Sequence, residues 1–406
     1  MLDAIVVGAG LSGLVCARRL VQAGARVAVV EARDRVGGRL HGGRVGGVPI
    51  DLGGQWMTPG QPRLARLAAE LGVPVERHDR SGRALLDDSG GLFAAFAQWR
   101  AMRRIERAIA TSDPRLDSQS LAEWLAREIR NPVARARIAL HAELVLASDP
   151  ASLSLLHYLD TMRATSGFRP PGRDEYRFAG GAHALAERLA EPLADCIRFG
   201  EPVTAIAQTP DAVEVNGVAA RHAVLAIPPP LVRTIAVELP AGARRHVAAA
   251  FGGPVVKCFA AYPRAAWRDR GLSGESYQPQ GTVRATVALD GGPGQPAVLL
   301  GFIVGAEAAR WPTRAADERR ADVLATFARF TGEAPVEHVE ADWGSERWSA
   351  GCVPGLPPGA RAGGAAWGAA IGRLHVAGTE SAIRWPGYME GAIEAGERAA
   401  DEILAA

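Results

Sequence analysis

The chain opens with four apolar residues, Ala4–Val7, and then changes period. Leu11, Leu14, Val15 and Leu20 recur at helical spacing, Gly24 is placed to stop that helix, and a second apolar run, Val27–Val30, ends on Glu31. Strand, helix over Leu11–Ala23 and strand therefore follow in order. Further along, three- and four-residue apolar steps predict helices over Gln98–Ala110, Ser120–Ile129, Pro132–Leu146 and Ala182–Leu193. Strands are predicted at Glu201–Ala207, Ala212–Val215, Ala223–Ile227, Val255–Tyr262, Val283–Leu289 and Ala297–Val304, with a helix at Ala315–Phe330. The tail, Leu374–Ala406, reads as strand, glycine turn and helix once more.

The turn between the first strand and helix carries Gly8, Gly10 and Gly13 in GxGxxG spacing, and Glu31 lies 18 residues beyond. Each has a physical task at a dinucleotide: a tight turn at Gly8, close backbone approach at Gly10, helix–strand packing at Gly13, and a ribose diol for Glu31. The helix N-terminus offers free N–H groups to the phosphates.

Composition narrows the reading. A length of 406 residues accommodates two domains, and a formal net charge of +2 gives no electrostatic footprint for nucleic acid. Cys16, Cys196, Cys258 and Cys352 are scattered without metal-ligand spacing. His78, His141, His183 and His375 do not cluster and are expected to be structural. No apolar run approaches 18 residues, so a cytoplasmic protein without membrane contact is expected. Of 46 basic residues, Lys257 is the one lysine, and it sits between apolar neighbours on a predicted strand. Strand alternation places it on one face with Val255 and Phe259. The bland alternative is a lysine snorkelling from an edge strand.

Three segments resemble the flavin-containing monoamine oxidase family of FAD-dependent enzymes. Glu31-Ala32-Arg33-Asp34-Arg35-Val36-Gly37-Gly38-Arg39 is similar to the run after the ribose acid, and Asp51-Leu52-Gly53-Gly54-Gln55-Trp56 to the loop against the flavin. Ala377–Ala400, with Glu380 and Trp385-Pro386-Gly387-Tyr388-Met389, is similar to the flavin-closing segment. The resemblance spans nearly the whole chain. It implies an α/β fold of two domains: a Rossmann-type FAD-binding domain (1–76, 179–246, 346–406) and an interleaved domain of mixed sheet and helices for substrate (77–178, 247–345).

The resemblance also implies roles for residues. Gly8, Gly10, Gly13, Glu31, Ala32, Arg33, Gly38 and Arg39 hold the dinucleotide, and Val203 contacts adenine. Gly54, Gln55, Trp56, Trp343, Glu380, Tyr388 and Met389 surround the flavin. Lys257 holds a water beside the ring, and Cys352 corresponds to the cysteine of an 8α thioether; bacterial relatives without it hold FAD non-covalently. Lys257 and Tyr388 are the catalytic candidates. Monoamine oxidases set two tyrosines face to face before the flavin; Tyr388 matches one, and Val353 stands in place of the other. Val353, Asp174 and Trp385 are expected to line the substrate pocket, where Asp174 or Glu175 either holds a second cationic group or belongs to a solvated loop.

The implied reaction is oxidation of an amine C–N bond to an imine, hydrolysed to aldehyde or ketone, with dioxygen reduced to hydrogen peroxide. A small amine and dioxygen are the expected partners, and a homodimer is left open. Two alternatives share the cofactor: a desaturase of C–C bonds, and a flavin-binding interaction protein without turnover.

Overall fold

The computed structural model describes residues 1–86, 91–111, 113–165, 175–289, 294–361 and 367–406. At its centre lies β1 (Leu2–Val7), followed by α1 (Leu11–Gln22) and β2 (Val27–Val30). β2 runs parallel to one side of β1, with Ile5 opposite Ala28; strand Val218–Leu225 runs parallel on the other, with Ile5 opposite Ala223. Leu374–Val376 adds to Val218–Leu225, again parallel, within a sheet of eight strands. Such strands are covered on both faces, which is why they are continuously apolar.

α1 and the C-terminal helix Met389–Leu404 cross on one face of this sheet. A Cβ on Gly396 would lie 2.4 Å from Ser12 O, so the two backbones touch. This contact brings the last helix back beside the first turn.

A second sheet has six strands in the order Glu337–Asp342, Val255–Tyr262, Ala297–Val304, Ala285–Leu289, Leu272–Tyr277 and Arg83–Leu86. Every residue of Val255–Tyr262 is buried, and that strand is hydrogen-bonded on both sides. Lys257 therefore cannot snorkel from a sheet edge. Helices Gly91–Thr111, Leu121–Glu128, Pro132–Leu146 and Leu155–Ala164 pack around Leu121, Leu125, Ile138 and Tyr158.

The expected helix Pro132–Leu146 forms over those bounds, with Asn131 Oδ1 accepting from Ala134 N at 3.0 Å. Ser120 and Glu123 make a capping box at the start of the helix Leu121–Glu128. Elsewhere local chemistry shortens the expected elements. The helix expected over Ala182–Leu193 ends at Ala190, and a 3₁₀ turn containing Pro192 continues to Cys196. The strand expected from Glu201 begins at Ala205, because Asn216 Oδ1 takes the N–H groups of Thr204 and Ala205. Helices Pro62–Glu70 and Leu155–Ala164 were not anticipated.

Candidate active site

One cavity of about 360 Å³ begins at the β1–α1 turn, where it is lined by Gly8, Gly10, Glu31, Ala32, Arg33, Gly38 and Val203. The glycines differ in what they do. Gly8 has φ +104, and a Cβ on Gly13 would lie 2.0 Å from Gly8 O, so the fold itself demands Gly13. A Cβ on Gly10 would meet only Gly38 Cα, at 4.0 Å. No protein atom explains glycine there, and Gly10 lines the cavity, where close approach of a ligand would require it. Glu31 is buried, and its two oxygens accept from Ala9 N at 2.8 Å and Arg33 N at 2.9 Å. Oε1 also faces Arg33 Nη1 at 3.6 Å, so Oε2 keeps the freer acceptor position for a diol.

At the far end the cavity is lined by Gly54, Gln55, Trp56, Lys257, Phe302, Trp343, Cys352, Val353, Tyr388 and Met389. Lys257 is 3% exposed. Its Nζ donates to Gly53 O at 2.8 Å, to Asp51 O and to Gln55 Oε1, while the rings of Phe259, Phe302 and Trp56 stand 5.3, 5.7 and 6.0 Å away. Burial lowers its pKa to about 7, opposed by Asp51 and Cys352 and assisted by Arg177. Cys352 is fixed through its backbone: its N–H donates to Gly253 O at 2.9 Å, and Arg39 Nη1 donates to its carbonyl at 2.6 Å. Burial raises the Cys352 thiol pKa, against the charges of Arg39 and Lys257.

Arg39 also pairs with the Glu380 carboxylate at 2.7 Å, tying the Cys352 loop to the C-terminal segment. Tyr388 caps the helix Met389–Leu404, and burial raises its pKa to about 12, keeping the phenol neutral. Its position is set by Thr379, whose Oγ1 donates to Tyr388 O at 2.7 Å and accepts from Gly387 N at 3.1 Å. Behind Tyr388 stands Trp385, edge-on at 5.2 Å between centroids. Trp385 does not line the described cavity and supports Tyr388 instead.

Glu380 lies on a smaller adjoining cavity, beside His157 and Val353. Asp174 falls outside the described residues. Its neighbour Glu175 pairs with Arg80 at 3.2 Å, away from the main cavity. Among the lining residues only Glu31 and Glu201 are acidic, both at the β2 end.

Sequence reasoning overlooked Leu144 and Val145, which bring the helix Pro132–Leu146 to the cavity wall, and Phe302. It also overlooked Thr379, although that residue sits within the Gly378-Thr379-Glu380 motif. His78 was expected to be structural; it accepts from Trp56 Nε1 at 3.1 Å through Nδ1 and faces Ala288 O through Nε2 at 2.9 Å. Burial keeps it neutral by lowering its pKa, so a cavity aromatic is held by a histidine far from it in sequence.

The profile of flavin containing amine oxidoreductases matches residues 11–404. The flavin-containing amine oxidase of Danio rerio is 31% identical over 450 residues, covering 100% of this chain and 86% of its own. An L-amino acid dehydrogenase of Synechocystis is 30% identical, covering 99% of this chain and 94% of its own. Among solved structures, putrescine oxidase bound to putrescine superposes with a TM-score of 0.93 at 28% identity, covering 100% of this chain and 99% of the other. Cyclohexylamine oxidase from Brevibacterium oxydans gives the same TM-score at 29% identity and the same coverage. With the matched profile spanning nearly every residue, the chain belongs to the family of flavin-containing amine oxidases, oxidoreductases that act on amines.

Proposed function

We propose that this protein holds FAD along the single cavity running from Gly10 to Tyr388, and oxidises a primary amine with an uncharged, apolar tail, using dioxygen as acceptor. The continuity of that cavity carries the reading. Its first half offers helix N–H groups, a diol acceptor at Glu31 and a clearance at Gly10; its second half offers the buried Lys257 and Tyr388. The residues lining the two halves fit FAD in chemistry.

FAD supplies the two-electron acceptor. The chain's residues do the rest. The face of Tyr388 steers the amine nitrogen through its quadrupole. Leu144, Val145, Phe302 and Val353 give an apolar wall that excludes water and favours the neutral amine. An amine RCH₂NH₂ loses two electrons and two protons to become RCH=NH, which water converts to RCHO and ammonia. Dioxygen takes up two electrons and two protons as hydrogen peroxide, and Lys257 stands ready to stabilise the negative charge that develops on oxygen.

Val353 leaves open the side that a second tyrosine would fill. No acid lines this end among the described residues, which favours monoamines over diamines. We further propose a thioether from Cys352 to the flavin, since this thiol lies on the cavity and the charges of Arg39 and Lys257 oppose the rise in its pKa caused by burial. Forming it would break the S–H bond and one flavin methyl C–H bond, release two protons, and leave two electrons on the flavin for dioxygen to take up. A panel of monoamines and diamines, assayed for peroxide under air, tests the substrate and acceptor together. Peroxide from apolar monoamines is the expected result. Turnover restricted to diamines would overturn the substrate class, and turnover with dyes but not air would overturn the acceptor.

A further inference from the structure

The helix Gly91–Thr111 turns its largest apolar side chains outward. It begins at Gly91 rather than at the expected Gln98, which brings Phe93 and Phe96 onto it. Its inward face is small: Ala101 and Ile105 are buried in one cluster with Leu121, Leu125 and Ile138, and Ala97 and Ala108 pack on that cluster. The opposite face carries Phe93, Phe96 and Trp99, which are 85%, 58% and 57% exposed. Their three-residue steps set them in one stripe over two turns. The rings of Phe96 and Trp99 stack at 5.8 Å between centroids, so the apolar surface is continuous. Single exposed apolar residues are ordinary, but a stripe of three aromatics marks a contact surface.

The same outward face then becomes basic. Arg100, Arg103 and Arg107 follow at three- and four-residue steps and are exposed, with the Arg100 guanidinium 6.0 Å from the Phe96 centroid. Arg103 pairs with Glu106 at 3.1 Å, and Arg104 with Glu128 at 3.3 Å. Arg100 and Arg107 have no acidic partner among the described residues. A second copy of the chain would not supply one. A two-fold contact sets this face against itself and gathers the arginines around Glu106, which Arg103 already holds.

We propose that this face docks on an anionic lipid surface. Phe93, Phe96 and Trp99 enter the boundary between headgroups and acyl chains, and Arg100, Arg103 and Arg107 meet the phosphates. Aromatic rings and cations on one face are what such a boundary takes, since it is apolar below and negative above. A helix lying at a surface needs no spanning run, and no described helix is long and apolar enough to cross a membrane. None of these residues lines the main cavity, so the docking does not rest on the reaction proposed above.

The test is flotation of the purified full-length protein with vesicles of equal parts phosphatidylglycerol and phosphatidylcholine, against phosphatidylcholine alone. Binding to the anionic vesicles is expected to be at least tenfold tighter and to weaken as added salt screens the phosphates. Arg100→Gln/Arg107→Gln should bind about 30-fold more weakly. Phe93→Ser/Phe96→Ser/Trp99→Ser should bind at least tenfold more weakly. Trp99→Phe should keep the binding but lose the blue shift of tryptophan emission that vesicles induce in the parent. All three change exposed side chains, so each should keep the parent's melting temperature. Absence of flotation, equal affinity for the two vesicle types, or binding that survives both multiple substitutions would overturn the proposal. So would a dimer in solution that the triple serine variant dissolves, which gives this face to a second copy instead.

Discussion

Gly10 and Gly13 share one motif but answer to different partners, and substitution separates them. Gly13→Ala puts a methyl 2.0 Å from Gly8 O inside the fold, so loss of stability by several kcal/mol is expected, with or without FAD. Gly10→Ala meets no protein atom closer than 4.0 Å. In a Cys352→Ala background, where FAD is free to dissociate, its apo form should melt like that of Cys352→Ala alone, while FAD affinity falls at least tenfold in a fluorescence titration. Equal melting and equal affinity would remove the ligand from this turn. Lys257 gives a pH test. Burial lowers its pKa to about 7, so it is charged below that pH and neutral above. A charged donor stabilises reduced oxygen better, so reoxidation of prereduced enzyme should quicken as pH falls through about 7. Asp51, Arg177 and Cys352 are the titratable or charged groups acting on it. In Lys257→Met the rate should fall about 10²-fold and lose this pH dependence, the cost of one well-placed positive charge. Working without amine, in stopped flow, keeps substrate protonation out of the profile. Both residues were legible in the sequence, Gly10 from spacing and Lys257 from being the one lysine.

At the scale of elements, the start of the last helix depends on Thr379. Its hydroxyl closes two bonds across the Gly387 turn, holding the tyrosine that lines the cavity. Thr379→Val keeps the volume and removes both bonds. A stability loss of about 1–3 kcal/mol is expected from the buried groups left unpaired. If Tyr388 also shifts, kcat/KM for the best amine should fall about tenfold at unchanged FAD content, whereas an unchanged kcat/KM would confine Thr379 to folding. Helices with local caps, such as those begun by Ser120 and Asn131, were readable because the cap and the apolar stripe are adjacent in sequence. The neighbours of Val255–Tyr262 were not. Whether that strand is central or at an edge depends on Ala297–Val304 and Glu337–Asp342, and no local pattern states that pairing. The same holds for His78 and Trp56, joined across three short strands.

Over the whole molecule, the proposed cofactor would lie where distant parts of the chain converge. Arg33, just past β2, donates to Glu346 at 2.9 Å and to Ser349 at 2.8 Å, and Arg39 reaches the Cys352 carbonyl, so the dinucleotide turn and the cysteine loop are cross-linked before any ligand arrives. A ligand spanning this junction binds the folded state alone and stabilises it by mass action, by about 2.7 kcal/mol when present at 100 times its Kd. The nature of the Cys352 contact decides whether that linkage is visible. With a thioether, ligand and chain unfold as one molecule, so the melting temperature is independent of added FAD, and after acid precipitation the yellow colour stays with the peptide containing Cys352. Cys352→Ala should then release the colour to the supernatant and make the melting temperature climb with FAD concentration. If the parent already shows both behaviours, the thioether is ruled out, and Arg39 and Lys257 serve the flavin by charge alone.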